Sequence, residues 1–184
     1  MPPTIRTHTL LLRTLHPDDA DAITELAGAR AVADTTATVP HPYSRVMAEQ
    51  FIAWRGSPGG EELASVWAIE RRADARFVGM ISLDHDAELA AAEIGYWVGV
   101  PYWGQGIATE ACRAVVDHGL GRLALARLYA SHLTRNPASH RVLEKSGLRT
   151  EGVLRRAIRK WDRLEGLCHH SILPDEWLAA REGR

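Results

Sequence analysis

A glycine-rich segment, Trp103-Gly104-Gln105-Gly106-Ile107-Ala108, carries the strongest chemical signal in the sequence. It lies between a predicted strand and a predicted helix, where backbone N–H groups point outward and the helix dipole adds partial positive charge. This arrangement suits a phosphate group. The dinucleotide-binding fingerprint would need glycine in place of Thr109, and the nucleotide phosphate loop would need Gly-Lys-Ser/Thr, so both are excluded. A tight turn that uses glycine for steric reasons alone explains the spacing equally well.

Three polar residues are candidates for catalysis or ligand binding. Glu93 lies on the strand before the glycine-rich segment, where a carboxylate serves as a general base or simply faces solvent. Asn136 and Ser139 stand three residues apart at the start of a later helix. In the functional interpretation both side chains face a ligand. In the structural interpretation Asn136 is the N-cap and Ser139 is the third helical residue.

The histidine and cysteine spacing predicts no metal site. None of the nine histidines forms a His-Glu-x-x-His pair, and His169 and His170 would point to opposite faces of a strand. Cys112 and Cys168 have no metal-ligand spacing and make no disulfide framework. The Gly-x-Ser-x-Gly turn of serine hydrolases does not occur either.

A basic run near the C-terminus predicts a solvated hairpin, and recognition of an acidic partner is the alternative interpretation. Its members are Arg155, Arg156, Arg159, Lys160 and Arg163.

The elements that must position these residues follow the order β-α-α-β-β-β-α-β-α-β-β. Period-2 and apolar runs predict strands over 9–15, 65–70, 77–84, 92–98, 127–133, 148–158 and 164–173. Caps and apolar stripes predict helices over 16–29, 44–54, 107–120, 136–146 and 175–180, with a loop over 34–42 and a helix end over 56–60. The order predicts an α/β (α+β) class, with a mixed sheet whose faces are covered by helices.

Length and charge exclude several classes of protein. A chain of 184 residues with 46% hydrophobic residues buries a full core without a metal or a disulfide. No segment reaches the ~20 apolar residues of a membrane span and no secretory signal is recognised, so we expect a cytoplasmic protein that does not bind membranes. The net charge of −1 argues against nucleic-acid binding, including binding through the basic hairpin.

Three segments in this order resemble the GNAT superfamily of N-acetyltransferases: Glu-Ile-Gly-Tyr-Trp-Val, Tyr-Trp-Gly-Gln-Gly-Ile-Ala-Thr-Glu-Ala and Asn-Pro-Ala-Ser-His-Arg-Val-Leu-Glu-Lys-Ser-Gly-Leu. The similarity is greatest to the ribosomal-protein-alanine N-acetyltransferases. It runs from about Thr9 to Leu173, and it implies one domain over 1–184 with a mixed, mostly antiparallel sheet and helices on both faces. Two positions depart from the pattern. Trp103 replaces the usual Arg or Gln, and Glu165-Gly166 stands near the usual Asp.

The resemblance implies transfer of the acetyl group of acetyl-CoA to a primary amine, by direct attack in a ternary complex and without a metal. It places the pantetheine arm along the strand ending at Trp97, Val98 and Gly99, with an oxyanion-stabilising N–H near Val98. It makes Glu93 the candidate base, and Ser139 the candidate proton donor to sulfur. The remaining cofactor-binding residues that it implies are Trp103, Gly104, Gln105, Gly106, Ile107, Ala108 and Asn136.

The acceptor amine stays open at this level. A protein N-terminal amine such as that of a ribosomal protein, a polyamine and an aminoglycoside all fit. Residues 1–112 hold 8 basic and 15 acidic side chains, which favours a cationic acceptor. A non-catalytic acyl-CoA-binding domain is the alternative from another class, and the family suggests a homodimer.

Overall fold

The computed structural model describes residues 2–182, except for the side chains of residues 61 and 63. Its strands are β1 (Ile5–Arg6), β2 (Leu10–Arg13), β3 (Ala64–Arg71), β4 (Arg76–Asp86), β5 (Ala91–Val98), β6 (Arg127–Leu133), β7 (Arg149–Lys160) and β8 (Arg163–Ile172). Its helices are α1 (Ala20–Ala27), α2 (Arg30–Thr35), α3 (Arg45–Arg55), α4 (Pro58–Leu63), α5 (Ile107–Gly121), α6 (Pro137–Lys145) and α7 (Pro174–Glu182). Short 3-10 turns cover 17–19 and 100–102.

All eight strands form one sheet in the order β1-β2-β3-β4-β5-β6-β8-β7. Every neighbouring pair is antiparallel except β5 and β6, which run parallel. The predicted mixed and mostly antiparallel sheet is therefore confirmed.

Helices cover both faces of the sheet, as predicted, because the strands alternate apolar side chains between two cores. One core joins α5 and α6 to one face through residues such as Val115, Leu128 and Leu143. The other core joins α1 and α3 to the opposite face through residues such as Ile23, Ile52 and Met80.

The predicted elements differ from the observed ones mainly in the first half of the chain. The strand predicted over 9–15 is the shorter β2, and β1 lies before the predicted span. The chain turns between the two strands at Thr7, whose N–H donates to Leu10 O. The predicted loop over 34–42 begins inside α2. The segment predicted to end a helix does so, because α3 ends at Arg55 and Gly56 is its C-cap. The same segment also starts α4, where Ser57 caps the backbone N–H of Gly60 and Pro58 takes the first helical position.

Within residues 2–182, no helix combines the length and the apolar composition that crossing a membrane would require.

Candidate active site

The parallel strands β5 and β6 separate after a short stretch of pairing. Their register covers only Ala91 to Glu93 on β5 and Arg127 to Tyr129 on β6, although both strands continue beyond these residues. On its other edge β5 stays paired with β4 as far as Val98. The inner edges of β5 and β6 therefore enclose an opening, and we call it the cleft.

Val98 directs its backbone groups into this cleft. The N–H of Gly99 donates to Val78 O on β4 at 2.9 Å, and successive residues of an antiparallel strand direct their backbone groups to alternate sides. The carbonyl of Val98 accepts the indole N–H of Trp103 at 2.6 Å. That bond holds the glycine-rich loop against the end of β5, and it uses the only donor of the Trp103 side chain.

The glycine-rich loop presents free backbone N–H groups at the mouth of the cleft. Gly104 and Gly106 have φ of +75° and +79°, which a residue with a Cβ adopts only with strain, and the space around both is open. Among residues 2–182, no hydrogen-bond acceptor reaches the backbone N–H groups from Gly104 to Ala108, and no side chain caps α5. These amides and the dipole of a 15-residue helix can hold an anion.

Glu110 ties the first turn of α5 to the turn between β1 and β2. Its carboxylate accepts hydrogen bonds from the Thr7 hydroxyl, the Thr9 hydroxyl and the Thr9 N–H, at 2.6, 2.6 and 2.7 Å. Burial alone would raise the pKa of Glu110, but the hydrogen bonds from these threonines outweigh it and lower the pKa. Sequence patterns do not reveal this contact, because about a hundred residues separate its partners.

Tyr96 and Ser139 meet across the cleft. The Tyr96 hydroxyl lies 2.7 Å from Ser139 Oγ and 3.4 Å from the Ser139 carbonyl oxygen, so the phenol links β5 to the first turn of α6. Burial raises the pKa of Tyr96, so the phenol keeps its proton at neutral pH. Tyr96 was not among the residues predicted from the sequence to form the site. The available signal was its position two residues before Val98, on the same side of the strand.

Asn136 caps α6 and also ties it to α2. Its Oδ1 accepts the Ser139 N–H at 3.1 Å, and its Nδ2 donates to Thr35 O at 3.0 Å. The capping role is therefore confirmed. Contact with a cofactor stays a prediction.

Glu93 lies where the paired part of β5 and β6 ends, opposite Asp84 on β4. Burial raises the pKa of Glu93, and the Asp84 carboxylate raises it further, while Ser131 and His169 act in the opposite direction. A raised pKa suits a group that accepts a proton near neutral pH. Glu93 and Tyr96 are three positions apart on one strand, so they lie on opposite faces of the sheet.

The structure thus brings Val98, the glycine-rich loop and Ser139 to one cleft. Glu93 lies at its closed end, about 16 Å of extended strand from Val98. The side chain of Trp97 points away from α5 and packs against Phe77, with ring centroids 6.0 Å apart.

The expectation that the histidines do not cluster is wrong. His132, His140, Cys168 and His170 place one nitrogen or sulfur atom each within 4.8 Å of one another. Burial and the neighbouring histidines lower the pKa of His170 to about 4, so its ring is neutral at pH 7. The spacing rules failed because the four residues lie on β6, α6 and β8, which are adjacent only in the folded chain.

The prediction that His169 and His170 face opposite ways is correct, because His169 Nδ1 lies 3.1 Å from Ser131 Oγ on the other face.

The basic hairpin is solvated at Arg155, Arg156, Arg159 and Arg163, as predicted. Lys160 is an exception. It is buried, donates from Nζ to Val39 O at 2.8 Å and lies over the Trp161 ring.

The β7–β8 hairpin closes over α2 and the segment that follows it. The Trp161 indole donates to Asp34 at 3.0 Å, and Arg135 bridges Asp34 and Glu165. Glu165, which departs from the family pattern, is therefore held in an ion pair.

A comparison with known proteins identifies the family of this arrangement. The sequence profile of the Acetyltransferase (GNAT) domain matches residues 9–149. Uncharacterized N-acetyltransferase YoaA of Bacillus subtilis (strain 168) is 41% identical over 90 residues, which are 48% of this chain and 51% of that protein. The ribosomal-protein-serine acetyltransferase of Escherichia coli (strain K12) is 35% identical over 81 residues, 44% of this chain and 45% of that protein. The chain thus spans about half the length of the curated relatives it matches.

Among solved structures, a ribosomal L7/L12 alpha-N-protein acetyltransferase in complex with coenzyme A superimposes with a TM-score of 0.85. The alignment covers 95% of this chain and 99% of that chain at 19% identity. At this identity the likeness shows the fold.

Proposed function

Because this chain belongs to the GNAT family of acetyltransferases, we propose that it transfers the acetyl group of acetyl-CoA to a primary amine. The observation that carries the proposal is the row of free N–H groups from Gly104 to Ala108 at the mouth of the cleft. A pyrophosphate is the anion for which such a row is suited, because several donors and a helix dipole converge on it. The cleft then offers an unpaired strand edge to the rest of an extended ligand.

The residues of the cleft fit acetyl-CoA in this orientation. When bound, acetyl-CoA supplies the thioester carbonyl that an amine attacks and the thiolate that departs. We assign the pyrophosphate to the amides of the glycine-rich loop and the pantetheine arm to the open edge of β5 near Val98. The Val98 N–H lies on the same side of β5 as the Val98 carbonyl and so faces the cleft. It can donate to the thioester carbonyl oxygen as negative charge develops on that oxygen. One such donor typically contributes about 3–4 kcal/mol to catalysis.

We assign proton donation to the Tyr96 and Ser139 pair. Either hydroxyl can donate in their 2.7 Å hydrogen bond. A proton lost from Ser139 Oγ to a departing thiolate is replaced from the Tyr96 hydroxyl through the same bond. Tyr96 then regains its proton from solvent.

Glu93 is the proposed base, acting through water because of its distance from Val98. Glu93 lies on the face opposite Tyr96, which supports two separate proton transfers. The amine loses its proton to Glu93 on one side of the sheet, and the thiolate gains one from the Tyr96 and Ser139 pair on the other. Asp84 adds a second carboxylate beside Glu93, and Arg55 Nη2 lies 3.3 Å from Asp84 Oδ1. The two carboxylates outnumber this one guanidinium, which favours a cation on the acceptor side of the sheet. We therefore propose an acceptor that carries positive charge before it reacts.

Two acceptor classes fit that description, namely a protein N-terminal amine, as in a ribosomal protein, and a small amine such as a polyamine or an aminoglycoside. A non-catalytic acyl-CoA-binding domain is the alternative function. Homodimer formation, a cytoplasmic location and the extension of one domain over 1–184 stay predictions from the sequence.

The test is a screen for free thiol released from acetyl-CoA, with a panel of N-terminal peptides, polyamines and aminoglycosides. Gly106→Glu is the blank, because its carboxylate would occupy the proposed phosphate position. Turnover with one class that the blank lacks supports the proposal and identifies the acceptor. Tight CoA binding without turnover on any amine would instead indicate the non-catalytic alternative.

A further inference from the structure

Three histidines and a cysteine surround one point between β6, α6 and β8. We propose that His132, His140, Cys168 and His170 form a binding site for a zinc ion. His132, Cys168 and His170 are buried, and His140 covers them from the surface of α6. Nothing in the proposed acetyl transfer uses these four side chains.

The separations match tetrahedral coordination. Zn–N bonds of 2.0–2.1 Å and a Zn–S bond of 2.3 Å imply separations of about 3.3 Å between nitrogens and about 3.6 Å between nitrogen and sulfur. His170 Nε2 lies 3.1 Å from His132 Nε2, 3.4 Å from His140 Nδ1 and 3.5 Å from Cys168 Sγ. All four atoms lie within 4.8 Å of one another, so small side-chain rotations bring them to one ion.

Two of the histidines have the tautomer that a metal ligand needs. His132 Nδ1 lies 2.8 Å from the Leu133 carbonyl oxygen, which can only accept, so Nδ1 carries the hydrogen and Nε2 offers its lone pair. His140 Nε2 lies 3.3 Å from a Glu144 carboxylate oxygen, so its Nδ1 offers the lone pair. Carbonyl and carboxylate partners of this kind are the usual outer partners of metal-bound histidines.

With these tautomers, the cluster has more lone pairs than hydrogen atoms to satisfy them. Two lone pairs, from His132 and His140, point at His170 Nε2, with the Cys168 sulfur beside them. A hydrogen on His170 Nε2 would satisfy one of these neighbours. A cation at the centre satisfies all of them, and the Thr150 hydroxyl, 3.4 Å from His170 Nδ1, accepts the hydrogen on the other side of the ring.

The ligand set selects zinc and a structural role. Imidazole and thiolate are the ligands that zinc prefers, and four protein ligands leave no open coordination position. On binding, the Sγ–H bond of Cys168 is replaced by an Sγ–Zn bond, and the proton passes to solvent. The ion would join α6 to β6 and β8, and so would hold the helix that starts at Asn136 and carries Ser139.

The test is zinc binding by the full chain without a histidine tag, after metal removal with a chelator and dialysis. Zinc is titrated in competition with a chromophoric chelator, and cobalt is titrated separately while its absorption is recorded. We expect an equimolar amount of either metal to bind. Cobalt should show the d–d bands of a tetrahedral ion and a thiolate-to-cobalt charge-transfer band.

Matched variants separate the site from adventitious binding. Cys168→Ser should abolish the charge-transfer band, whereas Cys112→Ser removes a buried thiol elsewhere and should keep it. His140 lies on the surface of α6, so the His140→Ala variant should keep its fold. Its zinc affinity should fall by more than 100-fold. His169→Ala removes the neighbouring histidine on the other face and should bind zinc as the wild type does. Glu144→Gln should weaken zinc binding by roughly 10-fold through the outer partner.

No step of this test involves acetyl-CoA, so its outcome is independent of the proposed enzymatic function. Failure of the wild-type chain to take up zinc would overturn the proposal. It would be overturned equally by His140→Ala and Cys168→Ser, each shown to be folded by circular dichroism, binding zinc as tightly as the wild type.

Discussion

The hydroxyl groups of Tyr96 and Ser139 lie 2.7 Å apart, across a cleft whose two walls come from segments 43 residues apart in sequence. Ser139 alone is a weak acid at the start of a helix. Hydrogen-bonded to a phenol that burial keeps protonated, it becomes one end of a short proton path. The pair explains how a serine in this position can serve a departing thiolate.

Ser139→Ala and Tyr96→Phe should each lower kcat by roughly 10²–10⁴, with the KM for acetyl-CoA nearly unchanged. Since the two hydroxyls act as one path, the double variant should be no slower than the slower single variant. Tyr129→Phe, which removes a phenol from the neighbouring strand, is the control. Steady-state kinetics with the acceptor found in the screen decide the matter, and additive losses would mean that the two groups act separately.

Gly106 tests the phosphate assignment, because the space around it is open and only its φ of +79° restricts substitution. Gly106→Gln and Gly106→Glu share the same backbone strain and nearly the same volume, so they differ in charge alone. CoA should bind the Glu variant at least about 10-fold more weakly than the Gln variant at low salt. The ratio should shrink as ionic strength rises.

Calorimetric titration of CoA into both folded variants measures this ratio. Equal affinities for the Gln and Glu variants would place the phosphates away from the glycine-rich loop.

Glu93 should impose an acidic limb on the pH–rate profile. Its pKa is raised by burial, so the carboxylate that accepts a proton forms only at a pH above the usual range of a glutamate. Glu93→Gln should lose this limb, and its deficit should narrow as pH rises and the amine deprotonates unaided. Profiles of kcat/KM for the wild type, Glu93→Gln and the neighbouring Asp84→Asn test this. A deficit that stays constant with pH would argue against the base role.

The same substitution should stabilise the fold at neutral pH. A raised carboxyl pKa means that the folded state binds more protons than the unfolded state between the two pKa values, so folding stability falls as pH rises through that window. Glu93→Gln removes the buried charge and should unfold at a higher temperature than the wild type at pH 7, but not at acidic pH. Loss of activity together with a gain in stability distinguishes a functional carboxylate from a structural one.

The sequence predicted the features that arise from neighbouring residues. The cap at Asn136, the helix from Ile107 and the strand over 127–133 follow from local patterns, and they appear in the structure almost as predicted. The order of elements predicted the α/β (α+β) class, and the resemblance of segments in register added that the sheet is mostly antiparallel. Neither source predicts which side chains of distant segments meet.

The features that were missed all depend on such meetings. Tyr96 joins Ser139 only because β6 leads into α6 beside β5. The histidine and cysteine cluster needs β8 to lie next to β6, which the strand order provides and the spacing does not reveal. Lys160 is buried because the hairpin folds back on the segment after α2. There the Val39 carbonyl accepts a hydrogen bond from the Lys160 ammonium group.

Two substitutions of Asn136 distinguish its capping role from the predicted cofactor contact. Asn136→Asp and Asn136→Ser both keep an oxygen for the Ser139 N–H, and both lose the donor to Thr35 O. Each should therefore lower the free energy of unfolding by about 1 kcal/mol, the typical net value of one hydrogen bond. In the Asp variant, charge at the helix start offsets part of the repulsion from the Thr35 carbonyl.

Only the Asp variant brings a negative charge near the proposed pantetheine end of the cleft. If Asn136 lies beside the cofactor, CoA should bind the Asp variant more weakly than the Ser variant by several-fold. Urea unfolding measures the first quantity and calorimetry the second, and equal CoA affinities in wild type and both variants would leave Asn136 as a cap alone.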